Sequence, residues 1–219
     1  MEFNKQSTSV KSSASEAIID QGLRAYMLKV YNYMASGVLL TGFIALAFFK
    51  MAVVSDGNQI IGLTNFGNTI YASGLKWVIM LAPLAVVFYM SFGIAKMSAA
   101  KAQTTFWVFA ALMGASLSSI FLIYTGASIT RVFFITAGTF GAMSIYGYTT
   151  KKDLTKLGSF LMMGLFGIII ASVVNIFMKS SMMYFVISII GVLVFVGLTA
   201  YDTQKIKNMY MASDSGELI

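Results

Sequence analysis

The chain has neither cysteine nor histidine among its 219 residues. Without cysteine it forms no disulfide, and it offers no thiolate as a nucleophile or metal ligand. The lack of histidine removes the commonest general base, the commonest zinc ligand and the catalytic Ser-His pair. Together these absences exclude most familiar hydrolases. We therefore expect a protein that is not an enzyme and that holds no resident metal or cofactor.

Charge is also scarce. Charged residues make up 11% of the chain and hydrophobic residues 58%, and the mean hydropathy is +0.81. This balance lies far outside that of soluble globular domains, which carry about 25% charged residues. The composition indicates an integral membrane protein whose main partner is the lipid bilayer.

Long apolar segments account for this composition. Each has roughly the 17 to 25 residues that a helix needs to cross the hydrocarbon core. Continuous apolar runs do not fit the alternating strands of a membrane β-barrel. The sequence therefore predicts an all-α, polytopic helical bundle with six transmembrane helices, at about residues 30–49, 77–94, 106–124, 132–148, 160–178 and 182–203.

The positive charges predict the orientation, because loops rich in Lys and Arg stay in the cytoplasm. With a cytoplasmic N-terminus, four cations face outward: Lys50, Lys76, Arg131 and Lys179. The other eleven face inward: Lys5, Lys11, Arg24, Lys29, Lys96, Lys101, Lys151, Lys152, Lys156, Lys205 and Lys207. The formal net charge of +7 is thus a topology signal, and we expect no nucleic-acid partner.

Polar segments flank the apolar region. We expect residues 1–25 to form a mobile, polar cytoplasmic tail, residues 26–210 to form the bundle, and residues 211–219 to form a polar C-terminal end. Pro83 lies inside the second predicted helix, where it removes one hydrogen bond and marks either a tolerated bend or a hinge.

Small residues mark places where helices can approach closely. They recur at Ala110, Gly114 and Ser118 in the third predicted helix, and at Gly138, Gly141 and Ser144 in the fourth. One interpretation is that these are packing faces. The alternative is a polar path between the two helices, lined by Ser116, Ser118, Ser119, Thr136 and Thr139.

Asp202 is the one acidic residue on an apolar segment. Ionisable residues in membrane segments are costly and indicate function by default. It lies near the inner end of the last predicted helix, so the alternative is that its carboxylate is simply hydrated at the membrane interface. Lys205 is three residues further on and can partner it.

Asp153 precedes the fifth predicted helix. It can cap that helix by accepting hydrogen bonds from free backbone amides. The alternative is a cytoplasmic gate, in which Lys151, Lys152 or Lys156 pairs with acidic groups such as Asp202.

Three stretches together resemble the transmembrane Bax inhibitor motif family, or Bax inhibitor-1 family, and its bacterial branch most. They are residues 201–207 (YDTQKIK) with the preceding 191–200 (GVLVFVGLTA), residues 146–154 (YGYTTKKDL) and residues 112–121 (LMGASLSSIF). The resemblance extends from about residue 26 to residue 210. It implies a multi-pass protein of the bacterial inner membrane.

The resemblance also implies a function. Members of this family conduct Ca²⁺ across membranes in a pH-dependent way, so Ca²⁺ is expected here as a transported ion. In the family pattern two aspartates on the last two helices share a proton and close the pore from the cytoplasm. One of them maps onto Asp202. Asp153 and Lys205 are candidate supporting residues of the gate from their positions in the sequence.

The second aspartate of that pattern belongs to a seventh helix, in a stretch resembling LDFIN. No such stretch follows Tyr210, and Asp214 and Glu217 match no family motif. The family fold has seven helices where this sequence predicts six. We expect that the chain is truncated, rather than that this member lacks the last helix.

Two other classes compete with a channel. One is a non-conducting regulator that binds another membrane protein, such as a membrane-anchored protease, because a bacterial member of the family is implicated in restraining one. The other is an intramembrane aspartyl protease. That class needs two membrane aspartates, and the predicted helices contain one.

Overall fold

The computed structural model describes residues 3–56 and 59–210, with side chains from residue 21 onward. The predicted tail at 1–25 lies partly outside the described side chains, and the predicted C-terminal end at 211–219 lies wholly outside the described residues. Both stay predictions. Within the described ranges the helices are α1 (Phe3–Ala52), α2 (Asn65–Gly67), α3 (Leu75–Gly93), α4 (Ala99–Leu117), α5 (Ile120–Ile123), α6 (Gly126–Thr149), α7 (Thr155–Met178) and α8 (Ser181–Met209).

In the described part of the chain, six helical segments are long and apolar enough to span a membrane. They are Gln21–Ala52, Leu75–Lys96, Ala99–Ile123, Gly126–Thr149, Thr155–Met178 and Ser181–Met209. The predicted all-α, six-helix architecture is confirmed. Each segment is longer than its apolar core because polar residues extend the helix at one or both ends.

The chain divides into two compact units. The first contains the described residues up to Ile129, and the second runs from Thr130. In the first unit α1 packs against α4. Gly114 lies against the backbone of Thr41 and the side chain of Ile44, leaving no room for a Cβ. The Thr41 hydroxyl donates to the carbonyl of Ala110 at 2.9 Å, so Ala110 and Gly114 form a packing face, as predicted.

A β-hairpin occupies the segment between α1 and α3. Strands β1 (Val53–Asp56) and β2 (Gln59–Leu63) pair antiparallel, with a register shift between Val54 and Ser55. The amide of Thr64 donates to the carbonyl of Ala52 at 2.9 Å, which ties the end of the hairpin to the end of α1. We call this end of the first unit the hairpin end. The apolar pattern of the sequence predicts no strand in this segment.

The helix α3 continues through Pro83, which is buried. It packs against α4. The α-helix runs unbroken from Leu75 to Gly93, so the proline sits inside a continuous span.

In the second unit α7 and α8 pack together as antiparallel neighbours. Lys179 turns the chain between them with a left-handed backbone, at φ 51°. The Asn175 side chain accepts from the amide of Ser180 at 3.0 Å, and the Ser180 hydroxyl accepts from the amide of Met183 at 3.2 Å. This turn fixes the ends of both helices. Their other ends meet the α6–α7 loop, residues 150–154.

Candidate functional site

The site lies where α6, α7 and α8 meet at the α6–α7 loop. Gly147 of α6 packs directly on the backbone of Ala200 of α8, and a Cβ at Gly147 would collide with the Ala200 carbonyl. Gly158 of α7 lies under the ring of Tyr201 in the same way. Two glycines thus let α8 approach both of its neighbours at adjacent residues.

Lys207 joins the far end of α8 to the end of α6. Its Nζ donates to the carbonyl of Tyr148 at 2.7 Å and lies 5.1 Å from the centre of the Tyr148 ring. Carbonyls in the last turn of a helix have no partner within the helix, and a lysine there also interacts favourably with the helix dipole. Lys207, a residue of α8, therefore caps the C-terminal end of α6 and holds the two helices together.

Gln204 holds the α6–α7 loop against α8. Its Oε1 accepts from the amide of Leu154 at 2.9 Å, and its Nε2 donates to the carbonyl of Lys152 at 2.8 Å. Leu154 is buried beneath this contact. One side chain thereby satisfies two backbone groups of the loop that carries Asp153.

Asp153 bonds to the first residue of α7. Its Oδ1 accepts from the amide of Thr155 at 2.9 Å and from the Thr155 hydroxyl at 2.6 Å. Leu154 occupies the cap position itself. The two hydrogen bonds from Thr155, with a smaller contribution from the charge of Lys156, lower the pKa of the Asp153 carboxyl. It is exposed and stays ionised at neutral pH.

Asp202 differs from its neighbours in the motif at 201–207. Ala200, Gln204 and Lys207 recur every three or four residues, so they share one face of α8. Asp202 is two residues from Ala200, a rotation of about 200° at roughly 100° per residue, and lies on the opposite face. It is exposed, and Lys205 is the cation whose charge acts on it.

The adjacent residue Thr203 is buried, and its hydroxyl donates to the carbonyl of Thr199 at 2.9 Å. Tyr201, Gln204 and Lys207 are also committed to contacts within the second unit. Asp202 is left as a charged side chain with no docking role among these contacts. That leaves its carboxylate available to a proton or a cation.

A cleft of about 500 Å³ separates α6 from α8 on the side of their crossing away from the loop. Its walls are mostly apolar, and four hydroxyls line it: Thr136, Thr139, Ser188 and Thr199. Three of them, those of Thr139, Ser188 and Thr199, donate to carbonyls of their own helices. Their oxygens still offer lone pairs to a cation or to water.

Ser144 lies on α6, one turn before Gly147. Its hydroxyl is buried and has no hydrogen-bond partner in the described part of the chain. By contrast, a Cβ at Gly138 or at Gly141 would meet open space. Of the predicted packing residues in this helix, those two glycines therefore make no close contact within the described structure.

The comparisons with known proteins identify the family. A family model described as "Inhibitor of apoptosis-promoting Bax1" matches residues 23–218. The chain belongs to the Bax inhibitor-1 family. The match covers five membrane segments in full, the first from residue 23, and the whole α6–α7–α8 site. It confirms the resemblance drawn from the three motifs.

Curated relatives agree with this assignment. Protein RP147 of Rickettsia prowazekii is 47% identical over 207 residues, covering 94% of this chain and 83% of that protein. The inner membrane protein YbhL of Escherichia coli K12 is 47% identical over 188 residues, covering 86% and 76%. The membrane protein SpyM3_0260 of Streptococcus pyogenes is 33% identical over 195 residues, covering 89% and 81%. No solved structure matches this chain. The names of the last two relatives call them membrane proteins, and with its six candidate spans in the described residues this protein is a membrane protein too.

Sequence reasoning found only part of the site. Asp202 and Lys205 share α8, and Gln204 links that helix to the loop of Asp153. In the described ranges, no group of three or more acidic residues is placed to hold a metal ion. The motif includes Gln204 and Lys207, but their roles were missed because their partners are backbone atoms. The three- and four-residue spacing from Ala200 is the signal that could have revealed them.

Proposed function

We propose that this protein is a pH-sensitive Ca²⁺ leak channel of the bacterial inner membrane, with its N-terminus in the cytoplasm. Asp202 is the carboxylate of its gate, on the cytoplasmic side. The observation that carries the proposal is that, in the described part of the chain, Asp202 is the one acidic residue on a membrane span, and it has no docking role. The proposal includes no catalytic reaction and no resident cofactor.

The chemistry of the second unit supports a cation as the transported species. Ca²⁺ prefers oxygen ligands, above all carboxylates. The cleft between α6 and α8 supplies hydroxyl oxygens, and Asp202 supplies a negative charge near the loop end of α8. When the carboxylate is ionised it attracts the cation, and when it is protonated that attraction is lost.

The loop contacts give the gate a defined position. Gln204 and Lys207 hold α8 against the loop and against α6 from the face opposite Asp202. Asp153 fixes the start of α7 through Thr155. We propose that these contacts keep Asp202 in place. In this proposal Lys205 supplies the neighbouring positive charge, and Asp153 and Lys205 support the gate.

The test is Ca²⁺ flux into liposomes that contain the purified full-length protein, measured between about pH 4 and pH 8 because aspartate carboxyls ordinarily titrate near pH 4. We expect flux to fall as the pH is lowered, and Asp202→Asn to remove this dependence because its amide does not titrate. Asp56→Asn, which removes an exposed carboxylate from the hairpin, is the matched control and should behave as wild type. If the flux through Asp202→Asn depends on pH as the wild-type flux does, the assignment of Asp202 to the gate is wrong.

The second candidate is a non-conducting regulator of a membrane-anchored protease. It is favoured by the exposure of residues 131–140 of α6 on every side within a span, which leaves that surface to lipid or to another membrane protein. Flux and protease activity measured on a protein lacking residues 1–23 separate the two functions. The regulator would be favoured if the intact protein shows no flux and the protein lacking residues 1–23 no longer restrains the protease.

A further inference from the structure

A second cleft, of about 170 Å³, lies in the first unit at the hairpin end. The start of α3 forms one wall, and the end of α4 with α5 forms the other. It is lined by Lys76 and Ile79 from α3, by Ser116 from α4, and by Ser119 and Ile123 beyond it. This cleft is independent of Asp202 and of the proposed channel function.

The free polar groups of the cleft are donors. The Nζ of Lys76 lies 5.4 Å from the centre of the neighbouring Trp77 ring, and the structure shows no hydrogen bond from it to a described residue. The Ser116 hydroxyl likewise has no partner among the described side chains. No acidic residue lines the cleft.

Acceptors at the same place are already in use. The carbonyl of Ala115 accepts from the Ser118 hydroxyl at 2.6 Å, and the carbonyl of Ser116 accepts from the Ser119 hydroxyl at 3.4 Å. The Lys76 ammonium would repel a cation here, and no carboxylate lines the cleft to offset that repulsion. A site with a lysine and a free hydroxyl, and with its carbonyls occupied, suits an anion.

Tyr71 makes the polar wall of the cleft rigid. Its hydroxyl donates to the fully buried Ser118 hydroxyl at 2.8 Å. Burial raises the pKa of the Tyr71 phenol, so the group stays neutral and does not repel an anion. The contact also joins the turn before α3 to the end of α4, which holds the two walls together.

The remaining walls are apolar and open. Met80 is 53% exposed and Ile123 is 74% exposed, both on segments that span the membrane. These surfaces face lipid rather than a packed core. The cleft is therefore amphipathic, with a cation and a hydroxyl beside apolar side chains at the level of a membrane interface.

We propose that this cleft binds an anionic phospholipid, with its phosphate at Lys76 and Ser116 and an acyl chain along Met80 and Ile123. A free inorganic anion would make no favourable contact with the apolar walls. A lipid with no net charge would gain less from the lysine. The occupant is thus a lipid of the leaflet at the hairpin end.

Lipid retention tests the proposal. The full-length protein is reconstituted in nanodiscs with equal amounts of phosphatidylglycerol and phosphatidylcholine, extracted, and examined by native mass spectrometry. We expect phosphatidylglycerol to be retained about fivefold over phosphatidylcholine, the factor expected of one lysine near a membrane surface. Lys76→Gln should abolish this preference, whereas Ser116→Ala should lower the retention of both lipids, because each of them carries a phosphate.

Lys50→Gln is the matched control, because Lys50 is an exposed lysine at the same end of the unit that does not line the cleft. It should keep the wild-type preference. Thermal unfolding of each variant shows that it is folded. An unchanged preference in Lys76→Gln would overturn the proposal. Binding of inorganic phosphate without any retention of phosphatidylglycerol would also overturn it, since that would identify a free-anion site.

Discussion

Gly147 shows how a single missing side chain decides a helix crossing. A Cβ at this position would overlap the backbone of Ala200, which cannot move as a flexible side chain can. Gly141 lies six residues earlier on the same helix, and a Cβ there meets nothing within 4 Å. The same residue type therefore has opposite consequences at two positions of α6.

This contrast gives a matched pair of variants. Gly147→Ala should lower the free energy of unfolding by about 1–3 kcal/mol, because overpacking forces the backbones apart. Gly141→Ala should be neutral, or should raise stability by up to about 1 kcal/mol, because alanine is the better helix former. Unfolding of both variants in detergent, followed by circular dichroism, measures the difference. Equal effects would show that the α6–α8 crossing does not depend on Gly147.

The case for a functional role of Asp202 also rests on the single residue. A carboxylate on a membrane span is unusual in any context. The structure adds that its neighbours Tyr201 and Gln204 face other elements, so packing does not explain the aspartate. This is why the proposed function rests on it and not on Asp153, whose hydrogen bonds to Thr155 give it a structural role.

At the scale of elements, α8 organises the second unit. One face docks on α6 and the loop through Ala200, Gln204 and Lys207, and Tyr201 docks on α7. Backbone groups of the loop would otherwise need water or another partner. Gln204 supplies both the donor and the acceptor they need.

The loop should loosen when Gln204 is removed. Gln204→Ala leaves the Leu154 amide and the Lys152 carbonyl without their partner, at a cost of roughly 1–3 kcal/mol for a buried group. We expect hydrogen exchange of the peptide covering residues 150–156 to speed up by about five- to a hundredfold. Gln103→Ala, in α4, is the control. If exchange in the loop is the same in both variants, Gln204 is not its anchor.

At the scale of the whole molecule, the charges predict the orientation of the spans in the membrane. The distribution of Lys and Arg predicts a cytoplasmic N-terminus, and the six described spans then return the end of α8 to the same side. The proposed gate needs this orientation because it places the α6–α7 loop in the cytoplasm. The reverse orientation would put Asp202 on the other side.

Because the chain has no cysteine, single introduced cysteines can report on which side of the membrane each segment lies. Ser55→Cys, in the hairpin, should react with a membrane-impermeant maleimide in intact cells. Lys151→Cys, in the loop, should react only after the membrane is permeabilised. Both positions are exposed, so access to the reagent depends on the side of the membrane. The opposite pattern would reverse the topology, and the wild-type chain provides a control without thiols.

The sequence by itself determined the class, the six spans and the family. Apolar length and the cost of an unsatisfied backbone in lipid allow little besides helices, and these are properties of a chain read in order. It also marked Asp202, because a charge on an apolar run is visible without any neighbours. The hairpin was missed because strand pairing depends on which residues meet across it.

Only the tertiary structure decided which residues join the elements. Gln204 and Lys207 bind backbone atoms 50 and 59 residues earlier in the chain, and no local pattern shows such a contact. The same is true of the cleft at Lys76, which forms where separate helices converge. Spacing along a helix tells which side chains share a face, but only packing determines what that face meets.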